Sequence, residues 1–204
     1  TPKLILLSLT SIIIPVYNES ESIAALYQEL CLYCTNEVEI ILVDDGSKDT
    51  TLELITTIAN KDKRIKCISL SRNFGHQNAL MAGMDHARGE QIIIMDGDLQ
   101  HPPALIPSML SVLQNGADIV ITKRNKTAEI GAGKKLLGKL FYTFINSISD
   151  TPIEANVADF KAFNRKVLNS ILPFKERELF LRGIFSWIGF KTATIEFDAP
   201  ARKY

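Results

Sequence analysis

Through the first half of the chain, short runs of apolar, largely β-branched residues alternate with stretches whose apolar positions recur every three or four residues. This alternation is the pattern of βαβ units and a mostly parallel sheet. It predicts strands over Ser11–Val16, Val38–Val43, Ile65–Leu70, Gln91–Met95 and Ala117–Thr122. Helices are predicted between them near Ser20–Cys34, Thr50–Asn60, Gln77–Ala87 and Pro103–Gln114, with start signals at Glu19-Ser20 and Pro102-Pro103. The expected fold class is α/β, a mostly parallel central sheet with helices on both faces. In open α/β sheets ligands gather beyond the carboxyl ends of the strands. Those positions are polar here: Pro15-Val16-Tyr17-Asn18-Glu19, Asp44-Asp45-Gly46-Ser47, Asp96-Gly97-Asp98-Leu99-Gln100-His101 and Lys123-Arg124. Four strand ends are expected to meet at one crevice.

After Lys126 the pattern changes. A Gly131-Ala132-Gly133 hinge precedes the segment Lys134–Ile148, in which Leu137, Leu140, Phe141, Phe144, Ile145 and Ile148 share one helical face and Lys135 and Lys139 lie opposite. Two readings of it stand: a helix lying in a membrane interface, or an amphipathic helix facing the core. With no internal repeat and no linker rich in Pro, Gly or Ser, residues 1–204 read as a single domain with a C-terminal amphipathic elaboration.

Composition narrows the function. The 204 residues carry 23 basic and 23 acidic side chains, a formal net charge of zero, which argues against a nucleic-acid binder driven by phosphate neutralisation. No apolar run approaches the roughly 18 residues of a membrane-spanning helix, and Leu4–Leu9 is far too short. Three cysteines cannot form a disulfide framework, and Cys31 and Cys34 fall at the end of a helical pattern, where packing thiols are expected. Gly131–Lys135 lacks the four-residue gap and the Ser/Thr of a phosphate loop. His76, His86 and His101 are too scattered for a zinc site, and His101 is expected to support the loop that precedes it.

That loop holds the strongest chemistry. Asp96 and Asp98 flank Gly97 at the mouth of the sheet, and hard divalent cations take such oxygen ligands. A cation held by one or two carboxylates suits a pyrophosphate substrate, because it neutralises charge developing on the leaving phosphate. The competing reading is an Asp-Gly turn with a helix cap. Of the second pair, Asp44-Asp45, one aspartate suits capping a helix that begins near Asp49. The other suits accepting hydrogen bonds from a nucleobase or ribose.

Together, P-V-Y-N-E at Pro15–Glu19, V-D-D-G-S at Val43–Ser47, D-G-D-L-Q-H-P-P at Asp96–Pro103 and A-D-I-V at Ala117–Val120 resemble glycosyltransferase family 2, and within it the polyprenyl-phosphate branch. The resemblance runs from about Ser11 to Tyr204. It implies a GT-A fold, with the nucleotide-sugar part at about 11–126 and an acceptor- and membrane-proximal part at about 127–204. It also implies an inverting reaction with Mg2+ or Mn2+. Pro15, Tyr17, Glu19, Val43 and Asp45 match positions that contact the nucleoside. Asp96, Gly97, Asp98 and Gln100 match those around the diphosphate, with Asp96, Asp98 and Gln100 at the metal, and Arg124 matches a basic residue on the nucleotide phosphates.

Val157-Ala158-Asp159-Phe160-Lys161 resembles the family's G-D-F-R segment with Ala158 in place of Gly, so Asp159 stands where the family has a catalytic base or acceptor-orienting group. On spacing alone Asp159 reads as a solvated loop carboxylate. Phe180–Phe190 resembles R-G-x-x-x-W-x-G-F, with Arg182 on the phosphate or acceptor side and Trp187 read as a packing anchor ahead of a sugar platform. Arg202 matches an arginine that binds substrate phosphate, in a motif whose Gly, Ser and Lys would follow Tyr204. The chain is therefore expected to be a piece of a longer protein whose relatives often continue into membrane-spanning helices.

The implied partners are a nucleoside diphosphate sugar, UDP-glucose favoured, a polyprenyl phosphate such as undecaprenyl phosphate, and the cytoplasmic face of the cell membrane. No nucleic acid is expected, and a homo-oligomer remains open. Transfer to a polysaccharide or glycan, or a nucleotide-sugar-binding module without catalysis, are the alternatives.

Overall fold

A computed structural model describes residues 8–34, 37–125, 157–174, 176 and 180–200. The segment Lys134–Ile148, the Gly131–Gly133 hinge and Arg202 lie outside the described residues. Strands β1 (Thr10–Val16), β2 (Val38–Asp44), β3 (Ile65–Ser69) and β4 (Gln91–Ile94) alternate with helices α1 (Ile23–Tyr33), α2 (Thr51–Lys61) and α3 (His76–His86). A 3-10 turn at Pro103–Leu105 leads into α4 (Ile106–Gln114), which is followed by β5 (Ile119–Arg124). Then come β6 (Val157–Asn164), α5 (Arg165–Ile171), α6 (Leu181–Trp187) and β7 (Thr192–Phe197).

Among the described residues, seven strands form one sheet in the order β3-β2-β1-β4-β6-β5-β7. β1, β2, β3 and β4 pair in parallel, as do β5 and β7, while β6 runs antiparallel between β4 and β5. The interior strands β1 and β2 are buried along their whole length, so they read as continuous apolar runs instead of alternating ones. Helices cover both faces. One core joins Ile12, Ile14 and Ile40 to Leu26, Ile55 and Met109 of α1, α2 and α4. The other joins Ile13, Ile41 and Ile94 to Leu80, Leu168 and Phe185 of α3, α5 and α6. Helix α3 lies close enough to the sheet that a Cβ at Gly83 would come within 2.3 Å of Ile13, so only glycine fits there.

Two strands escaped the sequence pattern. β6 carries the buried Lys161 in the middle of an otherwise apolar run, which breaks both the alternating and the continuous apolar signatures. β7 is an edge strand with only Phe197 buried. The expectation that both C-x-x-C thiols pack is corrected: Cys34 is buried, but Cys31 sits on the exposed face of α1.

The amino ends of the strands are closed by a satisfied polar cluster. Buried Glu39 accepts from Ser11 Oγ at 2.5 Å, from the Arg88 N–H at 2.6 Å and from Lys66 Nζ. The carboxyl ends, on the opposite side, stay open.

Candidate active site

Two loops form one wall of the opening. The turn after β1 and the turn after β2 are stitched by hydrogen bonds: Asn18 N–H to Ser47 Oγ (2.9 Å), Lys48 N–H to Asn18 Oδ1 (2.8 Å) and Glu19 N–H to Thr51 Oγ1 (2.9 Å). Asp49 adds two more, accepting from Ser20 N–H at 3.2 Å and Thr51 N–H at 3.0 Å. Burial pushes its carboxyl up, but the bonds from Thr51 and Ser20 prevail and hold it at about 2. Asn18 takes a left-handed backbone (φ 53°), which Asn tolerates better than most residues.

Neither member of the Asp44-Asp45 pair caps α2, which corrects that expectation. Asp44 accepts the Ser47 N–H at 3.3 Å and closes its own turn. Asp45 reaches across to the loop after β3, where Oδ1 accepts from Phe74 N–H at 2.7 Å and Oδ2 from Gly75 N–H at 2.9 Å. Between them Gly46 (φ 70°) lies so close to Arg72 that a Cβ would meet its carbonyl carbon at 2.4 Å. The β2 and β3 loops therefore pack backbone to backbone.

The Asp96–His101 turn forms the opposing lip. The Asp96 N–H donates to His101 Nδ1 at 2.9 Å, so this imidazole carries its proton on Nε2. His101 is fully buried and stacked on Phe160 at 5.2 Å, and burial pushes its pKa below the ordinary value, so it is neutral. Its Nε2–H has no hydrogen-bond partner among the described residues. His76, at the start of α3, donates Nε2–H to Asp96 Oδ1 at 2.8 Å; that bond raises the His76 pKa. Burial pushes Asp96 up, but opposing effects led by the hydrogen bond from His76 outweigh it and leave the carboxyl below its ordinary value. The turn is completed by Leu99 in a left-handed conformation (φ 62°) and by Gln100 N–H donating to Asp98 Oδ1 at 3.1 Å. A leucine held at positive φ costs about 1–3 kcal/mol, a strain that marks sites where geometry is over-determined.

These elements enclose a cavity of about 410 Å3 lined by Pro15, Val16, Tyr17, Glu19, Asp45, Asn73, Gly75, His76, Asp96, Gly97 and Asp98. Beside it stands a charged cluster from β6 and α6. Asp159 accepts from Arg182 through Nε at 2.9 Å and Nη2 at 2.7 Å, and from Lys161 Nζ at 3.2 Å. Burial pushes Asp159 up, but the Arg182 hydrogen bonds and the Lys161 and Arg182 charges outweigh it and hold the carboxyl far below its ordinary range. Its charge reaches both His76 and Asp96. Asp159 lies on a strand, half-buried and ion-paired, and is not a solvated loop residue.

Most sequence-selected residues meet here, and some do not. Pro15, Tyr17, Glu19, Asp45, Asp96, Gly97 and Asp98 line the cavity. Val43 is fully buried in the core beneath α3, and neither Gln100 nor Arg124 contributes to the lining. Arg124 ends β5, which the inserted β6 separates from β4; its charge helps lower the His101 pKa. The convergence of four strand ends is thus corrected: β1, β2 and β4 contribute, and the loop after β3 takes the place assigned to β5. That loop and the first residue of α3 supply Asn73, Gly75 and His76, none of them expected at this site from the sequence although Ser71-Arg72-Asn73 follows a strand as the other polar clusters do. Trp187 is 66% exposed, edge-on to Phe174 at 5.9 Å, so it does not anchor the core. Among the described residues no three His, Cys, Asp or Glu side chains gather into a metal cluster.

A mostly parallel sheet with a D-G-D turn and an acidic strand-end crevice is the architecture of the GT-A class. The model of glycosyl transferase family 2 matches residues 11–172, and the chain belongs to that family. It is 42% identical over 198 residues to a prophage bactoprenol glucosyl transferase homolog of Escherichia coli K12, and equally so to the bactoprenol glucosyl transferase of Shigella phage SfV. These alignments cover 94% of this chain but 64% of each relative, so the chain spans less than two thirds of their length. Among solved structures, a mannosyltransferase from Pyrobaculum calidifontis in complex with GDP-Man and Mn2+ superposes with TM-score 0.66 at 19% identity, over 97% of this chain and 59% of that one. Glucosyl-3-phosphoglycerate synthase from Mycobacterium tuberculosis, with Mn2+, UDP and glucosyl-3-phosphoglycerate, gives TM-score 0.64 at 17% identity, over 97% and 72%. At these identities the structural matches establish the fold.

Proposed function

We propose that the protein is an inverting, metal-dependent hexosyltransferase. It moves one sugar, glucose favoured, from a nucleoside diphosphate sugar to a polyprenyl phosphate at the cytoplasmic face of the cell membrane. The observation that carries this reading is the crevice in which Asp98 faces the same space as Tyr17, Glu19 and Asp45, with the Asp159–Arg182 pair beside it. The bactoprenol acceptor named for its relatives supports the choice of lipid.

In this reading the half-exposed Tyr17 ring and Asp45, whose carboxylate keeps lone pairs beyond its two backbone bonds, receive the nucleoside. Asp98 and Asp96 are hard oxygen donors of the kind Mg2+ and Mn2+ accept. Such ions complete their shell with waters and substrate phosphates, so a three-residue protein cluster is not required. When bound, the ion neutralises charge developing on the departing diphosphate. His76 and His101 fix the Asp96 side chain and backbone beneath it.

The acceptor phosphate, whose second pKa lies near about 6, arrives largely ionised. The chain therefore needs to place its oxygen in line with the anomeric carbon more than to remove a proton. Asp159 and Arg182 suit that placement, since guanidinium binds oxyanions by paired donors. The phosphate oxygen bonds to the anomeric carbon as the bond to the nucleoside diphosphate breaks, in one displacement that inverts configuration.

The test is Asp98→Ala, assayed for turnover and for donor binding by calorimetry with and without Mn2+. Turnover should fall by about 1000-fold or more, the scale of removing a principal electrostatic contact. Metal-dependent donor affinity should disappear while the melting temperature holds. Turnover like the unaltered protein's would remove Asp98 from the metal site.

A further inference from the structure

Lys161 is buried at the centre of the sheet, 2% exposed, on a strand whose other interior residues are apolar. Burying an ammonium is costly, and replacing a buried ion pair by apolar side chains is often neutral or stabilising. Fold stability alone therefore does not account for a charge there. Its ammonium donates to the Ala158 carbonyl at 3.0 Å and to Asp159 Oδ1 at 3.2 Å, and lies 5.6 Å from the centre of the Phe185 ring on α6. Burial lowers its pKa and the Asp159 charge opposes that shift.

Asp159 is thus held from two sides, by Lys161 from within the sheet and by the Arg182 fork from α6, and the same Oδ1 takes a bond from each. Helix α6 is tied down further by Leu181 N–H donating to Gln77 Oε1 at 2.8 Å, next to the His76 that holds Asp96.

We propose that Lys161 is a positioning residue for the acceptor: a buried cation that locks the Asp159 carboxylate, which in turn aims the Arg182 guanidinium at the acceptor's phosphate. This deepens, and rests on, the reading of the acceptor as a phosphate monoester. Asp159 then serves as a fixed anchor between two cations instead of taking a proton, and Lys161 touches no substrate.

The test uses the full-length polypeptide with Lys161→Met, Asp159→Asn and the double variant, measuring acceptor KM, kcat, donor Kd with Mn2+ and melting temperature. Lys161→Met should raise the acceptor KM by about tenfold, the effect of losing one charge-assisted hydrogen bond from the anchor. Donor Kd should stay within about twofold, the margin expected for independent sites, and the melting temperature should hold or rise. Because Lys161 works through Asp159, the double variant should be no worse than Asp159→Asn alone.

An unchanged acceptor KM, additive losses in the double variant, or a higher acceptor KM accompanied by lost donor affinity and a lower melting temperature would each overturn the proposal. If Lys161→Met does not fold, Lys161→Gln, which keeps a donor without the charge, takes its place with the same outcomes read the same way. Unaltered protein that makes no lipid-linked product sinks the acceptor reading and this inference with it. Lipid-linked product combined with an indifferent Lys161 sinks this inference alone.

Discussion

The two sides of the crevice are built from different bonds. The wall from the β1, β2 and β3 loops is held by carboxylates and hydroxyls that accept backbone N–H groups, as Asp45 does from Phe74 and Gly75 and Asp49 from Ser20 and Thr51. The β6–α6 side is held by side chains on side chains, with Asp159 between Arg182 and Lys161. Backbone-directed bonds fix where the chain runs, so the first wall is part of the fold and shapes a rigid donor pocket. Ion pairs fix only where charges point. The second side can lose them and keep its architecture while losing its hold on a ligand.

The sharpest way to break this contrast is Asp45→Ala. It removes the shared acceptor of two partly buried N–H groups, a loss of about 2 kcal/mol by the usual cost of charge-assisted bonds left unmade. Urea unfolding should show that loss, and donor affinity should fall while acceptor KM stays level. A stable Asp45→Ala with normal donor binding would refute the rigid wall.

His101→Leu comes next. It removes the acceptor for the Asp96 N–H and should weaken metal-dependent donor binding at a cost of about 1–3 kcal/mol, whereas His101→Asn, which can present an oxygen where Nδ1 stands, should recover most of it. Equal defects in the two variants would mean that the ring's stacking on Phe160, and not its acceptor, is what matters.

Arg182→Ala tests the other side, where a half-exposed pair contributes little to stability. Acceptor KM should rise about tenfold with melting temperature and donor Kd nearly unchanged. A large drop in melting temperature would erase the distinction between the two sides.

The smallest expected effect is with pH. Asp49, held at about 2 against an ordinary 3.8, has a depressed folded pKa, so its contribution is complete above the ordinary value and is lost as pH falls through the folded one. The gap in urea midpoint between the unaltered protein and Asp49→Asn should be flat above pH 5 and close between about 4 and 2. A gap that persists to pH 2 would assign the stitching to something other than the Asp49 charge.

The donor wall was the more legible side in sequence because its chemistry is contiguous. Pro15–Glu19 and Asp44–Ser47, like Asp96–His101 on the opposing lip, each follow an apolar run and needed only the strand-end rule to be brought together. What the wall is fastened to was not legible, since the donors at Phe74 and Gly75 are backbone groups that leave no residue signature. That Arg124 stands off the cavity lining was not legible, because nothing local announces that an antiparallel strand from about forty residues later enters between β4 and β5. Asp159 was found by resemblance alone: the lysine two positions on hid the strand, and that same lysine is what pins the carboxylate. Trp187 carries a core-like periodicity on a helix whose outer face is open.

The most direct measurement of the whole account is transfer of radiolabel from UDP-glucose by the full-length polypeptide in vesicles that contain undecaprenyl phosphate, with Mn2+ or Mg2+ and then with chelator. A chloroform-extractable, lipid-linked product that requires both the lipid phosphate and the divalent ion is expected. Label transferred only to a polysaccharide, or lipid product formed at full rate in chelator, would contradict it.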